Sequence, residues 1–275
     1  MSTRRRPRRT ASTSRTKSKP PWSLVVLGAL GALVFIVPLV GLLTQTPWTR
    51  LADLVASDLV VDALRLSLVT SLAAAFISLI LGVPLAWLLA RTEFRGRRLV
   101  RAIVTLPMVL PPVVGGAALL FALGRRGVIG EPIEQVTGFA LPFSMWAVIV
   151  ANVFVAMPFL VVTVDGALSN LDGRHEAAAA TLGASRLTVF RRVTLPMIAP
   201  ALRAGLVLAW ARALGEFGAT ITFAGSRQGS TQTLPLAVVV ALESDRDTAV
   251  AISLVLVVVS LAVLLALRDR WWART

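Results

Sequence analysis

The sequence predicts an all-α polytopic membrane protein with six transmembrane helices, and three observations carry that prediction. Of its 275 residues, 56% are hydrophobic and the mean hydropathy is +0.78, more than a water-soluble core of this length requires. Six apolar segments reach the ~20 helical residues needed to cross a hydrocarbon layer. Cysteine is absent and there is one histidine, which removes disulfide frameworks, thiolate metal sites and paired-histidine metal centres.

Residues 1–22 come first, with Arg4, Arg5, Arg6, Arg8, Arg9, Arg15, Lys17 and Lys19 set among Ser and Thr. Such a segment cannot bury a core, so a disordered cytoplasmic tail lying on anionic membrane lipids is expected rather than a nucleic-acid arm. The first span covers 23–43, too long for a signal-peptide apolar region and without a small-x-small cleavage site, so it is read as uncleaved. The others cover 64–90, 102–123, 143–164, 197–214 and 248–267, with a short C-terminal tail at 268–275. Trp48, Trp271 and Trp272 suit interfacial anchors.

Charge sets the orientation. Basic residues crowd the N-terminal tail, the 91–101 connection (Arg91, Arg95, Arg97, Arg98, Arg101), the connection between spans four and five (Arg174, Arg186, Arg191, Arg192) and the C-terminus. The opposite connections hold Arg50, Arg65, Arg125, Arg126, Arg227 and Arg246, mixed with acids such as Asp53, Asp58 and Asp245. Both termini are therefore expected in the cytoplasm.

Two spans are interrupted. The third opens TLPMVLPPVVGGA, where Pro107, Pro111 and Pro112 remove backbone donors and Gly115 and Gly116 follow. It either lines a pathway or is kinked so that a neighbouring helix can approach the glycines. The fifth ends ARALGEFGATITFAG, which places Arg212 and Glu216 one helical turn apart. An intramembrane pair with a gating or packing role is one reading. The other puts Glu216 in the outer headgroup zone, solvated, and it is preferred as regards solute contact because a carboxylate repels an anion. Gly215 and Gly218 allow the helix to end there, and Thr220, Thr222 and Ser226 follow as neutral donors or as hydroxyls of a re-entrant loop.

Between spans four and five lies EAAAATLGASRLTVFRRVTLP, residues 176–196. Ala177 to Ala180 favour helix, Glu176 suits its start, and Gly183 can close it in a left-handed conformation near Leu182. After Ala184, Ser185 caps a second helix over 186–193, with Leu187 and Phe190 on an apolar edge against Arg191 and Arg192. Pro196 then opens the fifth span. A two-helix elbow with a flat alanine face fits a groove on a soluble partner, or else packs on its own subunit. The only lysines are Lys17 and Lys19, both in the tail, so a phosphate-binding Walker loop has no lysine to use and the chain is not expected to be an enzyme.

These residues resemble the EAA loop of binding-protein-dependent ABC import permeases: Glu176, Ala177, Ala178, Gly183, then Val193, Leu195 and Pro196. Glu176 precedes Gly183 by seven residues, where the commonest family spacing is six; one residue rotates a helical side chain by about 100°. The Glu-Ala-Ala-Ala and Thr-Leu-Gly strings, with LPMVLPPVVGG at 106–116 and GEFGATITFAG at 215–225, are similar to the molybdate permease branch. The resemblance covers 62–267 and implies a type I ABC importer permease fold in a bacterial cell membrane. It implies a homodimeric twelve-helix pathway, with ATPase subunits docked on an elbow at 172–196 through Glu176, Ala177, Ala178, Gly183, Ala184, Ser185, Phe190, Leu195 and Pro196. ATP and Mg would sit on that partner, no cofactor on this chain, and an extracytoplasmic molybdate-binding protein would deliver cargo. The gate and pathway candidates are Pro107, Pro111, Pro112, Gly115, Arg212, Glu216, Gly218, Thr220 and Thr222. A sulfate or tungstate permease is the nearest alternative. A secondary transporter would need ionisable residues deep in several spans, and apart from Arg212 and Glu216 the spans show essentially none.

Overall fold

The computed structural model describes residues 21–271; the basic tail at 1–20, Trp272 and Arg274 lie outside the described residues. Among the described residues there is no strand. Residues up to Gln45 form a unit of their own, α1 (Trp22–Thr44), apolar around its whole circumference as a lipid-embedded helix requires.

The second unit starts at Thr46. A short α2 (Leu51–Val55) leads into α3 (Asp58–Arg91), whose 34 residues extend about 51 Å, well beyond the ~30 Å a span needs. It begins six residues before the predicted start because Asp58 stabilises an extra first turn through the helix dipole. α3 packs lengthwise on α7 (Met145–Ser169), and both pack on α10 (Leu195–Leu214). Leu89, Leu160, Leu168, Ile198 and Ala209 fill the space between these three helices.

The predicted third span is not one helix. Residues 97–123 form α4 (Arg97–Thr105), a 3₁₀ turn (Leu106–Met108) and α5 (Pro112–Leu123), bent by 117°. The prolines dictate the break: Pro111 is extended (φ −52°, ψ 129°), as a residue before proline must be, and Pro112 starts a new helix. α4 is strongly amphipathic and carries Arg97, Arg98 and Arg101. Among the described residues, five helices are long and apolar enough to cross a membrane, and the bent pair α4–α5 makes a sixth if it is taken as one span.

A short α6 (Gly130–Thr137) follows α5. After α7 come α8 (Arg174–Thr181), α9 (Arg186–Val189) and a π turn (Phe190–Thr194) that leads into α10. The second elbow helix does not stop at Val193 as predicted: Arg186 to Leu214 is one continuous helix. Pro196 cannot donate to the Arg192 carbonyl, and the wider π turn takes up that defect without ending the helix. Beyond α10, α11 (Gly218–Phe223) packs on α5 and α7, with Phe223, Ala147 and Val155 buried between them. α12 (Leu234–Ser244) is apolar but only 11 residues long, and sequence reading gave it no element. It joins α13 (Arg246–Trp271) and the start of α3 around Val60, Leu234 and Ile252.

Candidate functional site

The elbow assembles from local signals. The Asp172 carboxylate accepts from the Arg174 side chain and backbone N–H, which opens α8 and holds the acid below its ordinary pKa of 3.8. Gly183 adopts φ +82°, its N–H donates to Ala180 O (3.0 Å), and Ala184 N–H donates to Ala179 O (3.2 Å). That is the 5→2 and 6→1 pair of a Schellman turn, and it needs a residue free to take positive φ. Ser185 Oγ accepts from Thr188 N–H at 3.3 Å and caps α9 as the sequence predicts. At the tip Leu182 is 88% exposed and Leu187 64%, with Ala177, Ala178, Arg191 and Arg192 also exposed.

Glu176 faces the opposite way. Its Oε2 lies 3.1 Å from Arg91 Nη2 at the end of α3, and its Oε1 accepts from Thr194 Oγ1 at 2.6 Å. A cleft of about 350 Å³ runs alongside, between Trp87 and Arg91 on one wall and Ala180, Ala184 and Phe190 on the other. Trp87 and Phe190 meet edge to face, ring centroids 6.4 Å apart. A second ion pair at this end joins Arg101 of α4 to Asp165 of α7 at 2.9 Å, and Arg101 also reaches the Leu89 carbonyl at 3.3 Å. Leu195 and Pro196 lie at the base, half-buried and exposed respectively.

The other candidate residues meet at the crossing of α5 and α11. A Cβ on Gly116 would stand 2.7 Å from the Ala219 carbonyl, and one on Gly218 would stand 2.7 Å from Pro112 Cβ. Gly115 faces Phe154 in the same way, at 2.9 Å. Close packing is therefore what these glycines provide. Pro107 is half-buried, while Pro111 and Pro112 stay exposed with Val109, Val113 and Val114 on the rim of the break.

Glu216 is not in a solvated headgroup zone. Its side chain is 1% exposed, its Oε2 lies 2.6 Å from Arg212 Nη1, and its Oε1 accepts the Ala219 N–H at 2.7 Å. The sequence places the pair one turn apart but gives no sign that the Glu216 side chain is buried. Thr220 is fully buried and so offers no donor to a passing solute, and the Thr222 hydroxyl donates to the Gly218 carbonyl at 2.9 Å. Sequence reasoning also missed Arg91, Trp87, Thr194, Arg101 and Asp165. Asp165 falls one residue past the predicted fourth span, and its 64-residue separation from Arg101 leaves no local trace.

Five continuous spans, a sixth broken at clustered prolines and a capped elbow between the fourth and fifth define a multi-pass membrane permease. The chain belongs to the binding-protein-dependent transport system inner membrane components, whose family model matches residues 78–273. It is 47% identical over 220 residues to the molybdenum transport system permease protein ModB of Mycobacterium tuberculosis, covering 80% of this chain and 82% of that one. The ModB protein of Escherichia coli K12 is 40% identical over 213 residues, 78% of this chain and 93% of the relative. The sulfate transport system permease protein CysT of Salmonella typhimurium is 36% identical over 214 residues, 77% of each chain. In fold, the chain is similar to a bacterial ABC transporter that imports the acidic polysaccharide alginate, with TM-score 0.74, 19% identity, and 92% and 95% of the two chains covered. It is also similar to the MetNI methionine ABC transporter, with TM-score 0.59, 18% identity, and 79% and 96% covered.

Proposed function

We propose that this chain is the membrane-spanning permease subunit of an ATP-driven molybdate importer in a bacterial cell membrane, with both termini in the cytoplasm. The observation that carries the reading is the 47% identity, over 80% of the chain, to a permease named for molybdenum transport. Two copies form the pathway, a separate ATPase with its ATP and Mg docks on the elbows, and an extracytoplasmic binding protein delivers the oxyanion. With its lysines confined to residues 17 and 19, this chain has none for a Walker loop, and ATP hydrolysis falls to the partner.

The mechanism follows from the parts. Closure of the ATPase pair moves the elbow; because Arg186 to Leu214 runs as one helix through the π turn, displacement at the elbow is passed along it to the α11 end of α10. At that end Arg212 is neutralised by Glu216, so no bare cation waits to trap a dianion. Conduction needs binding weak enough to release, and a compensated pair meets that need. Substrate choice then rests mainly with the binding protein.

Uptake of radiolabelled molybdate into proteoliposomes holding this chain, its ATPase and its binding protein tests the reading. ATP-dependent uptake that resists a proton uncoupler is expected. The 36% identity to a sulfate permease supports sulfate as the second reading, and uptake abolished by excess sulfate but not by tungstate would favour it.

A further inference from the structure

We infer that Glu176 acts inward: it is a positioning residue that ties the elbow to two spans, while the exposed apolar tip meets the ATPase. The inference rests on the proposed coupling role of the elbow. One carboxylate binds two different elements, Arg91 at the last residue of α3 and Thr194 in the π turn at the foot of α10. Both oxygens are thereby engaged within the chain, and a partner that reached either would share it with a residue of this chain.

The surroundings fit a tie better than a docking contact. Glu176 and Arg91 side chains are each 22% exposed, sheltered enough that their attraction exceeds that of a surface pair. Among the described residues this is the one ion pair between α8 and a span, and the cleft beside it means α8 is not packed flush on α3. Glu176, Ala177 and Ala180 line that cleft, whereas Ala178 and Leu182 do not and are exposed. Force applied at Leu182 therefore reaches α3 and α10 together through Glu176. α3 and α10 both belong to the core around Leu160, so a shared pull moves them as one body.

The test uses the assembled transporter with Glu176→Gln, Arg91→Gln, the double variant, and the swap Glu176→Arg with Arg91→Glu. Hydrogen exchange of the α8 amides reads the tie without any cargo, and copurification of the ATPase reads docking. Each single variant is expected to speed α8 exchange about tenfold, with the double no faster than either single, as coupled partners behave. The swap restores protection, the ATPase copurifies throughout, and molybdate moved per ATP falls in the singles. Exchange effects that add in the double variant would overturn the inference. So would loss of ATPase copurification in Glu176→Gln but not in Arg91→Gln, which would make Glu176 a partner contact. A wild-type assembly that moves no molybdate would instead overturn the cargo assignment, and the exchange result would still decide the tie.

Discussion

The elbow and the α5–α11 crossing are each organised around glycine and a glutamate, yet the two regions are built for different tasks. Gly183 stands in open space at φ +82°, needed for its backbone conformation, whereas Gly116 is needed for its missing side chain, 2.7 Å from a carbonyl. Glu176 is partly sheltered beside a cleft; Glu216 is sealed, capping α11 and neutralising Arg212. The elbow is thus a surface part held at a few points, and the crossing is a close-packed joint. Load taken up at the first can be delivered to the second through the continuous helix from Arg186 to Leu214.

The largest expected effect tests the close-packed joint. Glu216→Ala leaves the Arg212 charge unpaired and the Ala219 N–H uncapped, and should lower stability by about 3–5 kcal/mol in detergent denaturation. Glu216→Gln keeps an acceptor for Ala219 and should lose less. Gly116→Ala comes next: the intruding methyl meets backbone at Ala219, so overpacking should remove about 1–3 kcal/mol.

Elbow variants should separate function from stability. Gly183→Val meets no neighbour, and its left-handed backbone costs about 1–2 kcal/mol. Membrane insertion should survive while molybdate transport uncouples from ATP hydrolysis in proteoliposomes; normal uptake would count against the elbow as the coupling element. The smallest effect concerns pH. The Arg174 side chain and backbone lower the Asp172 pKa, so its stabilisation is full above 3.8 and lost as pH falls through the lower folded value. Asp172→Asn should lower melting slightly at neutral pH, and the difference from wild type should disappear in acid, well below about pH 4, where the wild-type carboxyl is itself protonated.

Much of the elbow was legible in the sequence because its signals are local. Ala177 to Ala180, Gly183 and Ser185 each fix their own neighbourhood, and helix, turn and cap fall where they indicate. The prolines at 107, 111 and 112 announced a break in the third span, but a 117° bend depends on what α4 and α5 pack against. The burial of Glu216 was illegible for the same reason: the residue that closes on Gly218 is Pro112, more than a hundred positions earlier. α12 escaped notice because its 11 apolar residues are too few for a span and hold Pro235 in the first turn. The Arg91–Glu176 and Arg101–Asp165 pairs join segments far apart in sequence, and charge spacing along the chain carries no trace of either.

The account turns on the elbow tip being an inward-side docking surface, and one measurement addresses that directly. The chain has no cysteine, so Leu182→Cys introduces a single labelling site at the exposed tip. A membrane-impermeant maleimide should leave it untouched in intact cells, react in inside-out vesicles, and be blocked there once the ATPase is bound. Reaction in intact cells, or equal labelling with and without the ATPase, would contradict the account.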